Sequence, residues 1–192
     1  MNKIIFLGYG RSETTLIDEL EKKGCTVNVH NKKISLDDVD DVHLIISYGY
    51  LYILDSDFIN NCGCPILNLH ISYLPFNRGA HPNFWSFYDG TPSGVSIHQV
   101  DEGIDTGPIL FQRKIQFEDE KTFAETYDRL FNEIENLFIE NIDLIISTKW
   151  IAKKQIERGT FHSVKDLPNE FNGWQSSIAE EIKRLKSLKK IR

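Results

Sequence analysis

Lys3-Ile4-Ile5-Phe6-Leu7-Gly8-Tyr9-Gly10 opens the chain on an unbroken apolar run closed by a glycine turn, and Leu16, Ile17 and Leu20 follow at helical spacing. An apolar run of this length reads as a strand buried on both faces, and strand, turn and helix in succession read as an α/β unit. The pattern recurs outward from there. Cys25 to Val29 reads as a second strand, Val42 to Ser47 as a third around Leu44-Ile45-Ile46, and Pro65 to His70 as a fourth, with a short helix near Ser56 to Asn61. Buried strands alternating with helices predict an α/β fold, a mostly parallel central sheet flanked by helices, with ligands bound beyond the carboxyl ends of the strands. Gly94 to Asp101 and Ile109 to Phe117 read as two further strands. Thr122 and Glu125 make a T-x-x-E capping box, and Phe123, Tyr127, Leu130, Phe131, Ile134, Leu137 and Phe138 then mark a long amphipathic helix. After Thr148 the pattern loosens until Trp174, Ile178, Ile182, Leu185 and Leu188 mark a final helix. The expected organisation is a core over residues 1–148 and a short C-terminal extension, 149–192, ending in that helix.

With 192 residues, 41% of them hydrophobic and 12 of them Phe, the chain can build one full core. A net charge of −6 gives no electrostatic reason to expect nucleic acid as a partner, because phosphate binding leaves a basic footprint. No stretch approaches the roughly 18 apolar residues of a membrane span, and Met1 to Leu7 is too short for a signal peptide. Cys25, Cys62 and Cys64 form no disulfide-scaffold pattern, so a reducing, cytoplasmic setting is expected.

Gly8-Tyr9-Gly10 invites a dinucleotide reading, but Glu13 stands where G-x-G-x-x-G needs its third glycine. A tight strand-to-helix turn is the better account. Tyr9 and Arg11, beside the free N–H groups of that turn, are candidate contacts to an anionic substrate, with Glu13 opposing them. Cys62 and Cys64 with His70 and His81 match no zinc spacing, which predicts ordinary thiols and no metal. Ser72 lacks the G-x-S-x-G elbow of a nucleophilic serine.

Asn68 and His70 stand two apart at the end of the fourth strand, so both side chains point to one face. Asp105 follows in Val100-Asp101-Glu102-Gly103-Ile104-Asp105-Thr106-Gly107-Pro108, a glycine-rich turn between two strands. An amide, an imidazole and a carboxylate are what is needed to move an acyl group onto an amine without an acyl-enzyme. Taken singly, they also read as a polar strand end and a solvated turn residue.

Together these segments resemble the folate-dependent formyltransferases, a family that includes glycinamide ribonucleotide and methionyl-tRNA formyltransferases. The likeness rests on N-x-H at Asn68 to His70, S-x-L-P at Ser72 to Pro75, and a strand His98 ahead of Asp105 in D-x-G-P. Leu74 to Phe87 and Gly159 to Leu167 are similar to the bacterial nucleotide-sugar N-formyltransferases, including the pseudaminic-acid type. The resemblance implies a Rossmann-like core, N10-formyltetrahydrofolate as co-substrate, and the amine of a nucleotide-linked amino sugar as acceptor, in surface-polysaccharide biosynthesis. It departs from the relatives named first: Tyr9 and Arg11 interrupt a serine-rich phosphate loop, and only a short tail follows Phe117.

It further implies catalytic roles for Asn68, His70 and Asp105. Asn68 and a protonated His70 would donate to the oxyanion, Asp105 would support the imidazolium, and His98 would stand behind the reacting groups or serve the structure rather than act as the base. The pterin would lie against Tyr52, Leu54, Val100, Asp101, Gly103 and Asp105. Arg78, with Gly79 beside it, would meet a substrate phosphate or carboxylate. No metal would be needed. The aromatics Phe84, Trp85 and Tyr88 are expected in the core rather than under a base. A hydrolase releasing formate, a transferase for another small amine and a silent folate-binding module are the alternatives. The stripe of the final helix can pack on the core or form a homodimer.

Overall fold

A computed structural model of the chain describes residues 2–191. In order, the elements are β1 (Lys3–Gly8), α1 (Leu16–Lys22), β2 (Thr26–His30), β3 (Leu44–Tyr48), α2 (Ser56–Asn61), β4 (Ile66–His70), the short β5 (Arg78–Gly79), α3 (Pro82–Asp89), β6 (Gly94–Gln99), β7 (Ile109–Lys114), α4 (Phe123–Glu140), α5 (Ile142–Ser147), the short β8 (Phe161–His162) and α6 (Ile178–Ile191). One six-stranded sheet has the order β2-β1-β3-β4-β6-β7. Its first four strands run parallel, and β6 and β7 join antiparallel as a hairpin.

Alternation within each strand divides the core between two faces. Ile4 and Phe6 of β1 pack with Leu16, Ile17 and Leu20 of α1 and with Leu130, Ile134 and Phe138 of α4. Ile5 and Leu7 pack on the other side, with Phe58 of α2. Leu67 and Leu69 of β4 belong to the first cluster and Ile66 to the second, so the parity of β4 puts Asn68 and His70 on the face shared with Ile66. The capping box at α4 forms as the sequence predicts: Glu125 N–H donates to Thr122 Oγ1 (3.2 Å) and Thr122 N–H to Glu125 Oε2 (2.8 Å).

The final helix is used within the chain. Ile178, Ile182 and Leu185 of α6 pack against Phe84, Trp85 and Tyr88 of α3, in a third cluster with Phe123 and Phe171. Trp174 is the exception to the expected stripe. It lies in the turn before α6, where its carbonyl accepts from Ala124 N–H (2.8 Å), and the helix begins four positions later at Ile178. Residues after 148 also do not hang apart from the core. Lys153 bridges to Ile109, and β8 pairs with β5 in the loop after β4.

Candidate active site

Three side chains, from β4 and β6, and one backbone N–H, from β5, meet around one carboxylate. Asp105 Oδ1 lies 3.3 Å from the Asn68 amide nitrogen and 3.4 Å from His98 Nε2. Its Oδ2 lies 3.5 Å from His70 Nε2 and accepts from Gly79 N–H at 2.8 Å. Asn68 and His98 are opposite partners in the β4–β6 ladder, and His98 Nε2 is 3.3 Å from the Asn68 amide. His98 is therefore buried behind Asn68 and Asp105 and touches both, outside the residues that line the cleft. The sequence signal for it was a polar residue on the same face as Asn68, one strand over.

The loop that carries Asp105 is built to hold it. Asp101 Oδ1 accepts from Gly103 N–H (3.1 Å) and from the Thr106 hydroxyl (2.6 Å). Gln155, from the segment after the core, donates to both the Asp105 and the Gly107 carbonyls (2.9 and 2.8 Å). Asp105 sits at φ 53°, in the left-handed region that an Asp tolerates better than most residues but which still costs energy. Such a conformation persists only where its surroundings over-determine it, as this set of contacts does.

Gly79 is fixed by a different constraint. At φ +86° a Cβ would come within 2.3 Å of the His162 carbonyl. Gly79→Ala should push β5 off β8, lose the N–H donated to Asp105, and destabilise the protein by about 1–3 kcal/mol, as overpacking against backbone does. Urea denaturation beside the wild type measures this, and unchanged stability would contradict it.

Burial is the larger influence on His70 and pushes its pKa down, while the Asp105 charge pulls the other way. The ring is neutral at neutral pH. Its Nε2 faces two acceptors, the Asn77 carbonyl (3.3 Å) and Asp105, so its proton sits there. The imidazolium expected from the sequence is thus not the resting state: dehydration outweighs one neighbouring carboxylate. Burial also works to raise the pKa of Asp105, but His70, His98 and the Gly79 N–H overcome it and hold the group below the usual carboxylate range. Only part of this depends on a charged imidazole. The donated N–H groups act whatever the state of His70, and Asp105 is an anion.

A pH dependence follows from His70. Its folded pKa lies below the ordinary value of about 6.5. Below that value the unfolded chain binds a proton that the folded chain refuses, so stability falls as pH drops through the window down to the folded pKa. The depressed Asp105 acts lower still: its contribution is present above about pH 3.9 and is lost as pH falls through its folded value. The melting temperature of His70→Asn should decline less than that of the wild type between about pH 7 and pH 5. Parallel declines would rule this out.

Asn68, His70 and Asp105 open onto a cleft of about 1120 Å³ that runs from the Gly8–Gly10 turn to β8. Tyr9 lines it, edge-on to Tyr48 with ring centroids 4.8 Å apart, and its hydroxyl is 3.2 Å from that of Tyr127. Gly79 lines it as well. Arg11 does not, among the described residues: it is paired with Asp18 (2.8 Å) and Glu21 (2.6 Å) of α1. The Gly10 N–H is also taken, by Glu13 Oε2 at 2.9 Å, so the chain's own carboxylate occupies the place an anion would seek. Arg78 likewise falls outside the lining residues; its Nε is buried without a hydrogen-bond partner.

Of the expected pterin contacts, Asp105 lines the cleft and the others lie beside its lining residues. Leu54 and Val100 pack into the α2-side core, and the Tyr52 ring lies 5.4 Å from that of Tyr50. Asp101 and Gly103 shape their loop from within. Leu51 (92% exposed), Ile53 (77%) and Ile104 face the cleft instead. Cys62 and Cys64 are unpaired thiols, the first turned to the Cys64 carbonyl (3.3 Å), while burial and then Cys62 push the Cys64 thiol up to about 12. Phe161, His162, Ser163 and Val164 complete the far wall, with His162 stacked on Trp85 (3.7 Å) and paired with Asp89 (2.8 Å).

The sheet order, the parallel strands ending at a cleft and the Asn68–His70–Asp105 cluster define an α/β group-transfer fold, and the formyl transferase profile matches residues 30–142. The chain belongs to the formyl transferase family. Among solved structures it is similar to the formyltransferase PseJ from Anoxybacillus kamchatkensis, in complex with UDP-4,6-dideoxy-4-formamido-L-AltNAc and tetrahydrofolate, with a TM-score of 0.85 and 38% identity over 93% of this chain and 97% of that one. It is 30% identical over 129 residues to the dTDP-4-amino-4,6-dideoxyglucose formyltransferase of Mycobacterium bovis, covering 67% of this chain and 54% of that protein. It is 32% identical over 148 residues to the methionyl-tRNA formyltransferase of Lachnospira eligens, covering 76% and 46%. The chain spans about half the length of these last two relatives.

Proposed function

We propose that the protein is an N-formyltransferase that moves the formyl group of N10-formyltetrahydrofolate to the primary amine of a nucleotide-linked amino-deoxysugar. The observation that carries this reading is the likeness over nearly the whole of both chains to a formyltransferase crystallised with a UDP-linked formamido sugar and tetrahydrofolate. The donor set agrees with it. The Asn68 amide, 3.3 Å from Asp105, can turn its N–H toward negative charge developing on the formyl oxygen. Neutral His70 can add a second donor or receive a proton. As the amine bonds to the formyl carbon, Asp105, an anion at neutral pH, takes its proton directly or through a water, and the proton passes by way of His70 to the donor nitrogen of the folate as that nitrogen's bond to the formyl carbon breaks.

The residues present fit the folate. Leu51, Ile53 and Ile104 supply an exposed apolar rim for a flat ring, and the loop shaped by Asp101 and Gly103 carries Asp105 to it. The folate supplies the activated one-carbon group when bound. Tyr9 and Gly79 are left as contacts to the acceptor. In this reading residues 1–148 form the catalytic unit and residues 149–192 complete its cleft. Free thiols at Cys25, Cys62 and Cys64 suit a cytoplasmic setting, and the product would feed a surface glycan. No helix among the described residues is long and apolar enough to cross a membrane.

The test is to offer the protein a panel of nucleotide-linked amino sugars with formyltetrahydrofolate and read product mass for the gain of one carbonyl. Formate released at the same rate with and without acceptor would identify a hydrolase instead.

A further inference from the structure

Beside His70 a buried polar network centres on Asn77, in the loop between β4 and β5. Asn77 is 1% exposed, and its carbonyl faces His70 Nε2 at 3.3 Å. Its φ of 56° is left-handed, a conformation that asparagine adopts more readily than most residues. Thr160, just before β8, grips the peptides on both sides of this residue. The Thr160 hydroxyl accepts from Asn77 N–H (2.7 Å), and its carbonyl accepts from Arg78 N–H (3.0 Å), in the peptide whose own carbonyl meets His70. The same hydroxyl donates to Asn77 Oδ1 (3.1 Å), and the Thr91 hydroxyl, shortly after α3, lies 2.9 Å from Asn77 Nδ2 and 3.0 Å from Oδ1. Loop, helix end and C-terminal segment are thus joined at one amide.

The loop has other ties. The Phe76 carbonyl accepts from the Ser72 hydroxyl (2.9 Å), Phe76 N–H donates to the Tyr73 carbonyl (3.1 Å), and Ala80 N–H donates to the His162 carbonyl (2.8 Å). What the Asn77 side chain adds is the direction of one carbonyl, and that carbonyl faces a ring that lines the cleft. A partner that fixes an imidazole's rotation and the seat of its proton governs what the ring can do. We propose that Asn77, held by Thr91 and Thr160, is a positioning residue for His70: its carbonyl keeps Nε2 turned toward Asp105, 3.5 Å away, so that the ring can pass a proton during transfer. The kinetic part of the assignment rests on the formyl-transfer reading above. A second consequence is electrostatic. Asp105 and His98 are the titratable groups that face His70, the first favouring its charged form and the second opposing it, and the Asn77 carbonyl sides with Asp105. Turning that carbonyl away should therefore lower the pKa of His70 further.

The experiment compares wild type with Asn77→Gly, which permits the same φ without the amide, and with Thr160→Val and Thr160→Ser, which remove and restore the hydroxyl. At saturating nucleotide-linked amino sugar and formyltetrahydrofolate, kcat should fall about ten- to hundredfold in Asn77→Gly and Thr160→Val, the cost of a reacting group displaced by about 1 Å. Thr160→Ser should stay within about threefold of wild type, and KM for both substrates should hold in every variant, because Asn77 and Thr160 lie outside the residues that line the cleft. The acidic limb of kcat against pH, and the titration of His70 followed by NMR, should both move to lower pH in Asn77→Gly and Thr160→Val. Urea denaturation checks that the fold persists. A kcat within about threefold of wild type in both variants, or a His70 titration that stays in place, overturns the assignment. So does a loss that Thr160→Ser fails to restore, or one shared by kcat and both KM values, which marks a network that serves the fold alone. If the wild type formylates no nucleotide-linked amino sugar, the proposed function fails, while the His70 titration, which needs no substrate, still decides whether Asn77 acts on the ring.

Discussion

Asp105→Asn is expected to lower kcat/KM by about a thousandfold or more, within the range ascribed to a positioned acid–base group together with its charge. The substitution keeps the size and shape of the side chain, and asparagine tolerates the left-handed φ of 53° at this position. What it removes is the anion between His70 and His98, 3.5 and 3.4 Å away. An amide also cannot satisfy the donors on both sides. Gly79 N–H and the Asn68 amide each point at a carboxylate oxygen, and one of them would face an NH2 group instead. Formyl transfer under single-turnover conditions, with urea denaturation to show that the fold survives, measures the effect. Activity within tenfold of wild type would mean that Asp105 organises the loop and takes no part in proton transfer.

Asn68→Ala is expected to reduce kcat by about a hundred- to a thousandfold, the usual consequence of removing one donor to a developing oxyanion. KM for both substrates should change little, because an interaction made only in the transition state is lost from kcat. The position suits a clean measurement. Asn68 is partly buried on β4 between Leu67 and Leu69, whose packing does not involve its side chain. His98 Nε2 and Asp105 Oδ1 lose the amide between them, but water can enter from the cleft that Asn68 and Asp105 line. A kcat reduced by less than about fivefold would remove Asn68 from the donor role.

β1 and β3 were legible because each is a largely apolar run buried on both faces, and β4 showed its reactive face through simple alternation of Leu67 and Leu69 with Asn68 and His70. Asp105 was legible from the glycine-rich turn around it. Gly107 there approaches so closely that a Cβ would lie 1.9 Å from the Gln99 carbonyl. That His98 would stand behind Asn68 depends on the antiparallel pairing of β4 with β6, which strand patterns do not reveal. Gln155 gave no local signal, since it acts on residues far away along the chain. Arg11 was misjudged for a different reason. Asp18 and Glu21 were visible in the sequence, but that helix α1 would turn both toward Arg11 depended on how the turn enters it.

The two hydrogen bonds from Gln155 to the Asp105 and Gly107 carbonyls bear on how the protein is made. During synthesis the sheet and both central histidines leave the ribosome well before residue 155 does. A nascent or prematurely ended chain can therefore hold a formed sheet while its catalytic loop still lacks the clamp, and while the β8 strand that walls the cleft is missing. A chain that stops short of residue 155 would hold Asn68, His70 and His98 on their strands without the contacts that fix the Asp105 loop among them.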